Sequence, residues 1–182
     1  MTTPVGILIS GRGSNMQSLV RGSGDAYRVV LVASDKPDAA GLAWAADQGI
    51  AIFAHPGKRA EREAAFDAAL RAADVEVIAL AGYMRLLSDD FVTRWAGRIL
   101  NIHPSLLPLY KGLDTHARAI AAGDTEAGCS VHVVTEELDA GEVLGQARVP
   151  ILPGDTADSL AERVLGVEHS LYPKILAEFV QR

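Results

Sequence analysis

The chain has 182 residues, of which 49% are hydrophobic but only 5% aromatic, and its formal net charge is −6. This length allows one domain with a substantial core, and apolar residues that are mainly Ala, Val, Leu and Ile are typical of helices packed on a sheet. The acidic balance argues against a nucleic-acid partner, and no segment reaches the roughly 18 apolar residues of a membrane span. A single cysteine, Cys129, and the lack of a basic start before the first apolar run predict a cytoplasmic protein.

Short runs rich in valine and isoleucine alternate with longer alanine-rich stretches of helical period in the first hundred residues. In chain order they predict a strand at Val5–Ser10, a helix at about Asn15–Val20, a strand at Val29–Ser34, a helix at about Ala39–Gln48, a strand at Ala51–Ala54, a helix at about Arg59–Ala73, a strand at Val75–Ala81, a short helix from Ser88 and a strand at Ile99–His103. This β-α-β alternation predicts a largely parallel sheet with right-handed crossovers.

The pattern changes after Thr115. It predicts a helix to about Ala122, strands at Cys129–Val134 and Glu142–Val149, and a last helix at about Thr156–Phe179. Two strands joined by so short a loop must be antiparallel. The expected fold is therefore α/β: a single Rossmann-like domain whose mixed, mostly parallel twisted sheet carries helices on both faces.

The segment GRGSN, residues 11–15, lies between the first predicted strand and the first helix. Glycines allow a tight turn there, and the first helical N–H groups can face an anion such as a phosphate. One alternative is an ordinary turn in which Ser14 or Asn15 caps the helix. Another is a dinucleotide site with Asp35 as the ribose-binding acid, although the third glycine of that motif would fall on Met16.

Asn101 and His103 stand two residues apart at the end of an apolar strand, so they lie on one face, just before the rigid Pro104. One interpretation is a core histidine beside a structural asparagine. The other is acyl chemistry, because imidazole exchanges protons near neutral pH and both groups can donate to an oxyanion. The acid-rich loop TEELDAGE, residues 135–142, would supply a carboxylate for the histidine.

Other catalytic arrangements find little support in the sequence. No serine lies in a G-x-S-x-G elbow, and Cys129 lies within an apparent strand, as a core thiol would. The five histidines lack the close spacing of a zinc site. If no side chain is the nucleophile, the attacking group belongs to a substrate.

Five segments together resemble the phosphoribosylglycinamide formyltransferases, folate-dependent enzymes of purine synthesis. They are ISGRGSN, AGYMRLLS, ILNIHPSLLP, SVHVVTEELDAG and VEHSLYP, in this order along nearly the whole chain. That family transfers a formyl group from 10-formyltetrahydrofolate to the primary amine of 5′-phosphoribosylglycinamide. The resemblance implies this activity for the chain, with small-molecule substrates, no metal, and a monomer or homodimer.

The resemblance also implies a role for each matching position. Asn101, His103 and Asp139 would be catalytic. Gly13, Ser14 and Asn15 would bind the substrate phosphate, and Glu168 the glycinamide part. The implied folate-binding positions are Arg62, Met84, Arg85, Leu86, Leu87, Asn101, Val134, Thr135, Glu136 and Glu137. Lys58 and Arg59 compete with Arg62 for the arginine position.

The implied mechanism has the neutral substrate amine attack the formyl carbon while Asn101 and protonated His103 donate to the oxyanion. Asp139 would favour the charged imidazole and help to relay the proton. Residues 1 to about 100 would form a phosphate-binding half, and about 101–182 a catalytic and folate-binding half. The alternatives are a formyltetrahydrofolate deformylase, a methionyl-tRNA formyltransferase and a non-catalytic nucleotide-binding module; the extra domains of the first two are not visible in this sequence.

Overall fold

The computed structural model describes residues 1–182 and contains seven strands and six helices. The strands are β1 Thr3–Ile9, β2 Tyr27–Ser34, β3 Ala51–Ala54, β4 Val77–Leu80, β5 Ile99–His103, β6 Glu126–Val133 and β7 Val143–Pro150. The helices are α1 Ser14–Arg21, α2 Ala40–Asp47, α3 Arg59–Ala72, α4 Asp89–Arg94, α5 Thr115–Ala121 and α6 Ala157–Phe179. Every predicted element is present, and the largest difference is that β6 begins at Glu126 instead of Cys129.

All seven strands belong to one sheet, in the order β3-β2-β1-β4-β5-β6-β7. The first five strands pair in parallel, whereas β6 runs antiparallel to both β5 and β7. The short loop between β6 and β7 requires these two strands to be antiparallel, because a parallel partner needs a long crossover. The predicted mixed and mostly parallel sheet is confirmed.

The core divides into two clusters, one on each face of the sheet. Successive strand residues point to opposite faces, so Ile7 belongs to one cluster and Leu8 to the other. Helices α1, α2 and α6 cover the larger cluster, and α3 and α4 cover the smaller one. Helices therefore pack on both faces, and the predicted α/β class is confirmed. None of the helices has the length and apolarity that crossing a bilayer requires.

Helix α6 carries a polar group into the core along its buried stripe. Leu160, Val164, Glu168 and Tyr172 follow one another at four-residue spacing, and all four are buried. This spacing places them on one face of the helix. The Tyr172 hydroxyl lies 3.0 and 3.1 Å from the carbonyl oxygens of the last residue of β4 and the second residue of β5. That contact fixes α6 against the sheet one turn beyond Glu168.

Three loops meet at the carboxyl edge of the parallel strands. Leu80 at the end of β4 pairs with Leu8 of β1 on one side and with Asn101 of β5 on the other. The Ser10 amide then donates to the Gly82 carbonyl at 3.2 Å, joining the loops that follow β1 and β4. Open α/β sheets bind ligands at this edge.

Candidate active site

His103, the last residue of β5, has a partner on each ring nitrogen. Nδ1 lies 3.4 Å from Oδ2 of Asp139, and Nε2 lies 2.9 Å from the carbonyl oxygen of Tyr110. A carbonyl only accepts hydrogen bonds, so Nε2 carries a proton, while Nδ1 faces the carboxylate. Both side chains are more than nine-tenths buried, which strengthens their interaction. The ring is therefore held with Nε2–H toward the Tyr110 carbonyl and Nδ1 toward Asp139.

Asn101 lies two residues before His103, opposite His132 of β6. Nδ1 of His132 lies 3.1 Å from the Val133 carbonyl and must donate, which leaves Nε2 as an acceptor in the neutral ring. That Nε2 is 3.3 Å from Nδ2 of Asn101. Burial lowers the pKa of His132 and keeps the ring neutral. This contact uses one N–H of the Asn101 amide and leaves the other free.

Asp139 reaches the imidazole through an unusual loop backbone. Its φ is 50°, a left-handed conformation that aspartate tolerates better than most residues. The Gly112 amide donates to its Oδ2 at 3.0 Å. Gly141 lies so close to the Val133 carbonyl that a Cβ at this position would collide with the carbonyl oxygen. The sequence Asp139–Ala140–Gly141 thus permits the turn that brings Asp139 to His103.

The glycine-rich loop after β1 forms an open polar cleft of about 180 Å³. Its lining residues are Gly11, Arg12, Gly13, Ser14, Asn15, Ala81 and Gly82. Gly13 has a φ of 73° and caps α1, and neither Ser14 nor Asn15 makes a capping hydrogen bond. The alternative of an ordinary turn with one of those side chains as cap is therefore wrong. The first N–H groups of α1 remain available to an anion.

Asn15 and Glu168 join the two ends of the chain beside this cleft. Nδ2 of Asn15 donates to Oε2 of Glu168 at 2.8 Å, and both residues are buried. Burial raises the pKa of Glu168, against the opposing effect of the bond from Asn15. Oδ1 of Asn15 is buried without any partner in the protein. A buried acceptor without a donor is uncommon, and it indicates a place for a donor from a ligand.

Only β4 lies between the strand that precedes the cleft and the strand that carries His103. Neighbouring strands are about 4.8 Å apart, so the two groups are on the order of 10 Å from each other across the sheet. A sugar phosphate spans such a distance. The predicted phosphate-binding and catalytic positions therefore face one continuous edge.

The predicted folate positions after β4 form an exposed apolar loop. Met84 is 70% and Leu86 67% exposed, whereas Leu87 packs against the smaller core cluster. The Arg85 side chain extends to Asp35, with Nε 2.8 Å from Oδ2. Two large apolar side chains held in solvent beside a polar cleft are suited to a flat hydrophobic ligand.

Arg62, the predicted folate arginine, lies on α3 and is buried. Its Nε donates to the Tyr83 hydroxyl at 3.1 Å and its Nη1 to the Gly57 carbonyl at 2.8 Å. The competing Lys58 and Arg59 are exposed. Two nitrogens of Arg62 thus donate hydrogen bonds to protein groups, and a contact between Arg62 and folate stays a prediction.

The predicted segment after β6 lies at the other border of this region. The Val134 amide donates to the Ile99 carbonyl at 2.8 Å. Thr135 donates to the Glu137 carbonyl at 3.2 Å, and Glu136 accepts a bond from a threonine of α4. Thr135, Glu136 and Glu137 are exposed, whereas Val134 is half-buried. Their role in folate binding also stays a prediction.

No sequence pattern indicated a role for His132 or Tyr110, and the structure excludes the ribose-binding role considered for Asp35. His132 and Tyr110 contact the catalytic positions only because β6 pairs with β5 and because the loop after β5 folds back. The Asp35 side chain is only 1% exposed and both of its oxygens accept hydrogen bonds from protein groups, so it is not accessible to a ribose hydroxyl. This contradicts the dinucleotide interpretation. No group of His, Cys, Asp and Glu side chains is arranged to hold a metal ion.

These observations define an open α/β protein with an anion-binding loop and an amide–imidazole–carboxylate site on one sheet edge. The family model for "Formyl transferase" matches residues 4–176. The chain therefore belongs to the formyl transferase family.

Several members of that family are close to this chain. It is 45% identical to the phosphoribosylglycinamide formyltransferase of Escherichia coli, with 95% of this chain and 85% of that protein covered. The crystal structure of the phosphoribosylglycinamide formyltransferase from Brucella melitensis has a TM-score of 0.94 at 50% identity, with 100% of this chain and 97% of that one covered. The chain is also 45% identical to the trifunctional purine biosynthetic protein adenosine-3 of Drosophila melanogaster, of which it spans 14%.

Proposed function

We propose that this protein transfers a formyl group from 10-formyltetrahydrofolate to the amine of 5′-phosphoribosylglycinamide. The observation that carries the proposal is the convergence of Asn101, His103 and Asp139 at the sheet edge without a side-chain nucleophile beside them. Such a site suits attack by a substrate amine on a bound acyl group. The 45% identity to a phosphoribosylglycinamide formyltransferase supports the same reaction.

The Nε2–H of His103 and the free N–H of Asn101 donate to the formyl oxygen as it becomes an oxyanion. The Tyr110 carbonyl now accepts the Nε2–H bond at 2.9 Å, so the substrate oxygen takes its place. Asp139 stabilises the positive charge of the imidazole from the opposite side of the ring. Each oxyanion donor in sites of this type is worth roughly 10²–10³ in rate.

Proton transfer needs a group that can take the proton of the attacking amine. Asp139 lies beside His103 and, directly or through a water, relays that proton to the folate nitrogen that leaves. His132 keeps the Asn101 amide turned with Nδ2 toward Nε2 of its ring, at 3.3 Å. A reversed amide would present its oxygen to the oxyanion and repel it.

The phosphate of the amine substrate binds at Gly13, Ser14 and Asn15, where the first amides of α1 face the cleft. Oδ1 of Asn15 accepts a hydrogen bond from a hydroxyl or N–H of the same substrate, which satisfies the buried orphan oxygen. Glu168 contacts the glycinamide part. This places the substrate amine toward His103.

The folate ring fits the apolar loop that contains Met84 and Leu86, with the backbone of residues 134–137 along its other border. The exposed side chains of Met84 and Leu86 suit the flat ring, and backbone amides and carbonyls suit its polar edge. The substrates are small molecules, and the reaction needs no nucleic acid and no membrane. The chain acts as a monomer or homodimer, which sedimentation would decide.

The test is to mix the protein with 10-formyltetrahydrofolate, with and without phosphoribosylglycinamide, and to follow free tetrahydrofolate. We expect tetrahydrofolate to be released only when the amine substrate is present. Equal release without it would instead indicate a deformylase. No release under either condition by folded protein would indicate a binding module and overturn the proposal.

A further inference from the structure

Asp35 directly follows β2, and both oxygens of its carboxylate accept hydrogen bonds from the protein. Oδ1 accepts a hydrogen bond from the Ser10 hydroxyl at 2.6 Å, and Oδ2 accepts one from Nε of Arg85 at 2.8 Å. The side chain is only 1% exposed. Burial acts to raise the pKa of Asp35, but these hydrogen bonds outweigh it and lower the pKa. Asp35 is therefore a charged group that contacts no part of the catalytic centre.

Ser10 connects this carboxylate to the backbone of the loop after β4. While its hydroxyl donates to Asp35, the same oxygen accepts a hydrogen bond from the Met84 amide at 2.9 Å. The hydroxyl proton is thereby directed to the carboxylate and the lone pair to the amide. Asp35 thus holds the loop twice, through the Arg85 side chain and through the Met84 backbone.

A second buried carboxylate holds the other end of this loop. Oε1 of Glu63 accepts a bond from the Ser88 amide at 2.8 Å, and Oε2 contacts the Ser88 hydroxyl. Glu63 lies on α3 and is buried. Residues 83–88, here called the ring loop, are thus attached at both ends to charged groups that belong to other elements.

The anchors explain how the ring loop keeps apolar side chains in solvent. Met84 and Leu86 are 70% and 67% exposed, although a loop free to move would fold such side chains onto the surface. An ordered loop also loses less conformational entropy when a ligand binds. The hydrogen bonds to Asp35 and Glu63 therefore favour a preformed binding surface.

We propose that Asp35, through Ser10 and Arg85, is a positioning residue that preforms the ring loop for the folate co-substrate. Glu63 does the same at the Ser88 end. This inference rests on the proposed function, because it identifies the ligand of the ring loop as folate. It predicts an effect on folate binding alone, since neither carboxylate touches the catalytic positions or the phosphate cleft.

The test is the steady-state kinetics and tetrahydrofolate binding of Asp35→Asn. Asparagine keeps the size and one acceptor but removes the charge that holds Arg85. We expect the KM for 10-formyltetrahydrofolate and the calorimetric Kd for tetrahydrofolate to rise about tenfold, in line with the loss of a charge-assisted hydrogen bond. The kcat and the KM for phosphoribosylglycinamide should stay within about twofold. Glu63→Gln should show the same division between KM and kcat.

Asp155 offers a matched control. Its carboxylate, 6% exposed, is also paired with an arginine, Arg163, at 2.7 Å, and it follows β7 at the far edge of the sheet from β2. Asp155→Asn should lower the Tm while leaving the folate KM unchanged. Hydrogen exchange of the Met84 amide adds a direct readout, and it should accelerate in Asp35→Asn but not in Asp155→Asn.

The outcomes separate this inference from the proposed function. Wild-type protein that neither binds tetrahydrofolate nor releases it from the formyl donor refutes the function. Wild-type protein that binds tetrahydrofolate, beside an Asp35→Asn variant that binds it equally well, refutes the positioning role alone. A parallel loss of kcat and folate affinity also refutes that role. If Asp35→Asn does not fold, Ser10→Ala decides by the same measurements, because it removes only the connecting hydroxyl.

Discussion

The carboxylate of Asp139 makes the sharpest test of the proposed chemistry. Its Oδ2 lies 3.4 Å from Nδ1 of His103, with both side chains more than nine-tenths buried. The carboxylate charge of Asp139 holds the His103 ring with Nε2–H directed to the substrate oxygen, and losing an oxyanion donor costs roughly 10²–10³ in rate. Asp139→Asn removes this charge while its amide oxygen can still accept the bond from Gly112. We therefore expect kcat to fall by about that factor with the Tm within a few degrees of wild type.

The measurement is single-turnover release of tetrahydrofolate at saturating concentrations of both substrates. Glu142→Gln is the matched control, because it makes the same change of charge in the same loop at a side chain that is 69% exposed. Its turnover should remain within about twofold of wild type. Near-wild-type transfer by folded Asp139→Asn would remove that carboxylate from the mechanism.

Three further predictions test the surrounding groups. Gly13→Ala places a side chain at a φ of 73°, so the free energy of unfolding should fall by about 1–2 kcal/mol in urea denaturation and the KM for phosphoribosylglycinamide should rise; an unchanged KM would contradict the phosphate site. His132→Leu should lower kcat about tenfold, which is a part of the roughly 10²–10³ loss in rate expected when an oxyanion donor is removed. In an Asn101→Ala background the same substitution should have no further effect on kcat, and additive losses in the double variant would disprove the orienting role of His132. Burial raises the pKa of Glu168, so the folded state binds its proton more tightly than the unfolded chain does. Glu168→Gln should therefore raise the Tm at pH 7, with the gain vanishing below the ordinary value of 4.5, and should raise the KM for the amine substrate; a lower Tm at pH 7 would refute the burial cost.

Much of the site could be located from the sequence because its signals are local. Asn101 and His103 are separated by two residues on one strand, so strand periodicity alone puts them on one face. The glycine loop follows a strand and precedes a helix, which made an anion site one of three interpretations, beside an ordinary capped turn and a dinucleotide site. Asp139 was different: residues 135–142 contain four acids, and only the family resemblance selected one of them.

Several residues have roles that depend on contacts between distant elements. Asp35 has the position expected of a ribose-binding acid, yet its oxygens are bonded to Ser10 and Arg85. Arg62 is on the helix where a folate arginine was expected, but it is buried and bonded to Tyr83. No sequence pattern distinguishes a free charged side chain from one that is already paired.

The amino-acid sequence by itself determined the number, type and order of the helices and strands, because hydrophobic period and turn chemistry act within a few residues. It also determined which strand ends carry polar groups. The tertiary structure decided the strand order, the pairing of His132 with Asn101, and the meeting of Asn15 with Glu168. These contacts form only when the helices and strands pack together and bury the apolar side chains on both faces of the sheet. They therefore depend on residues from the whole chain.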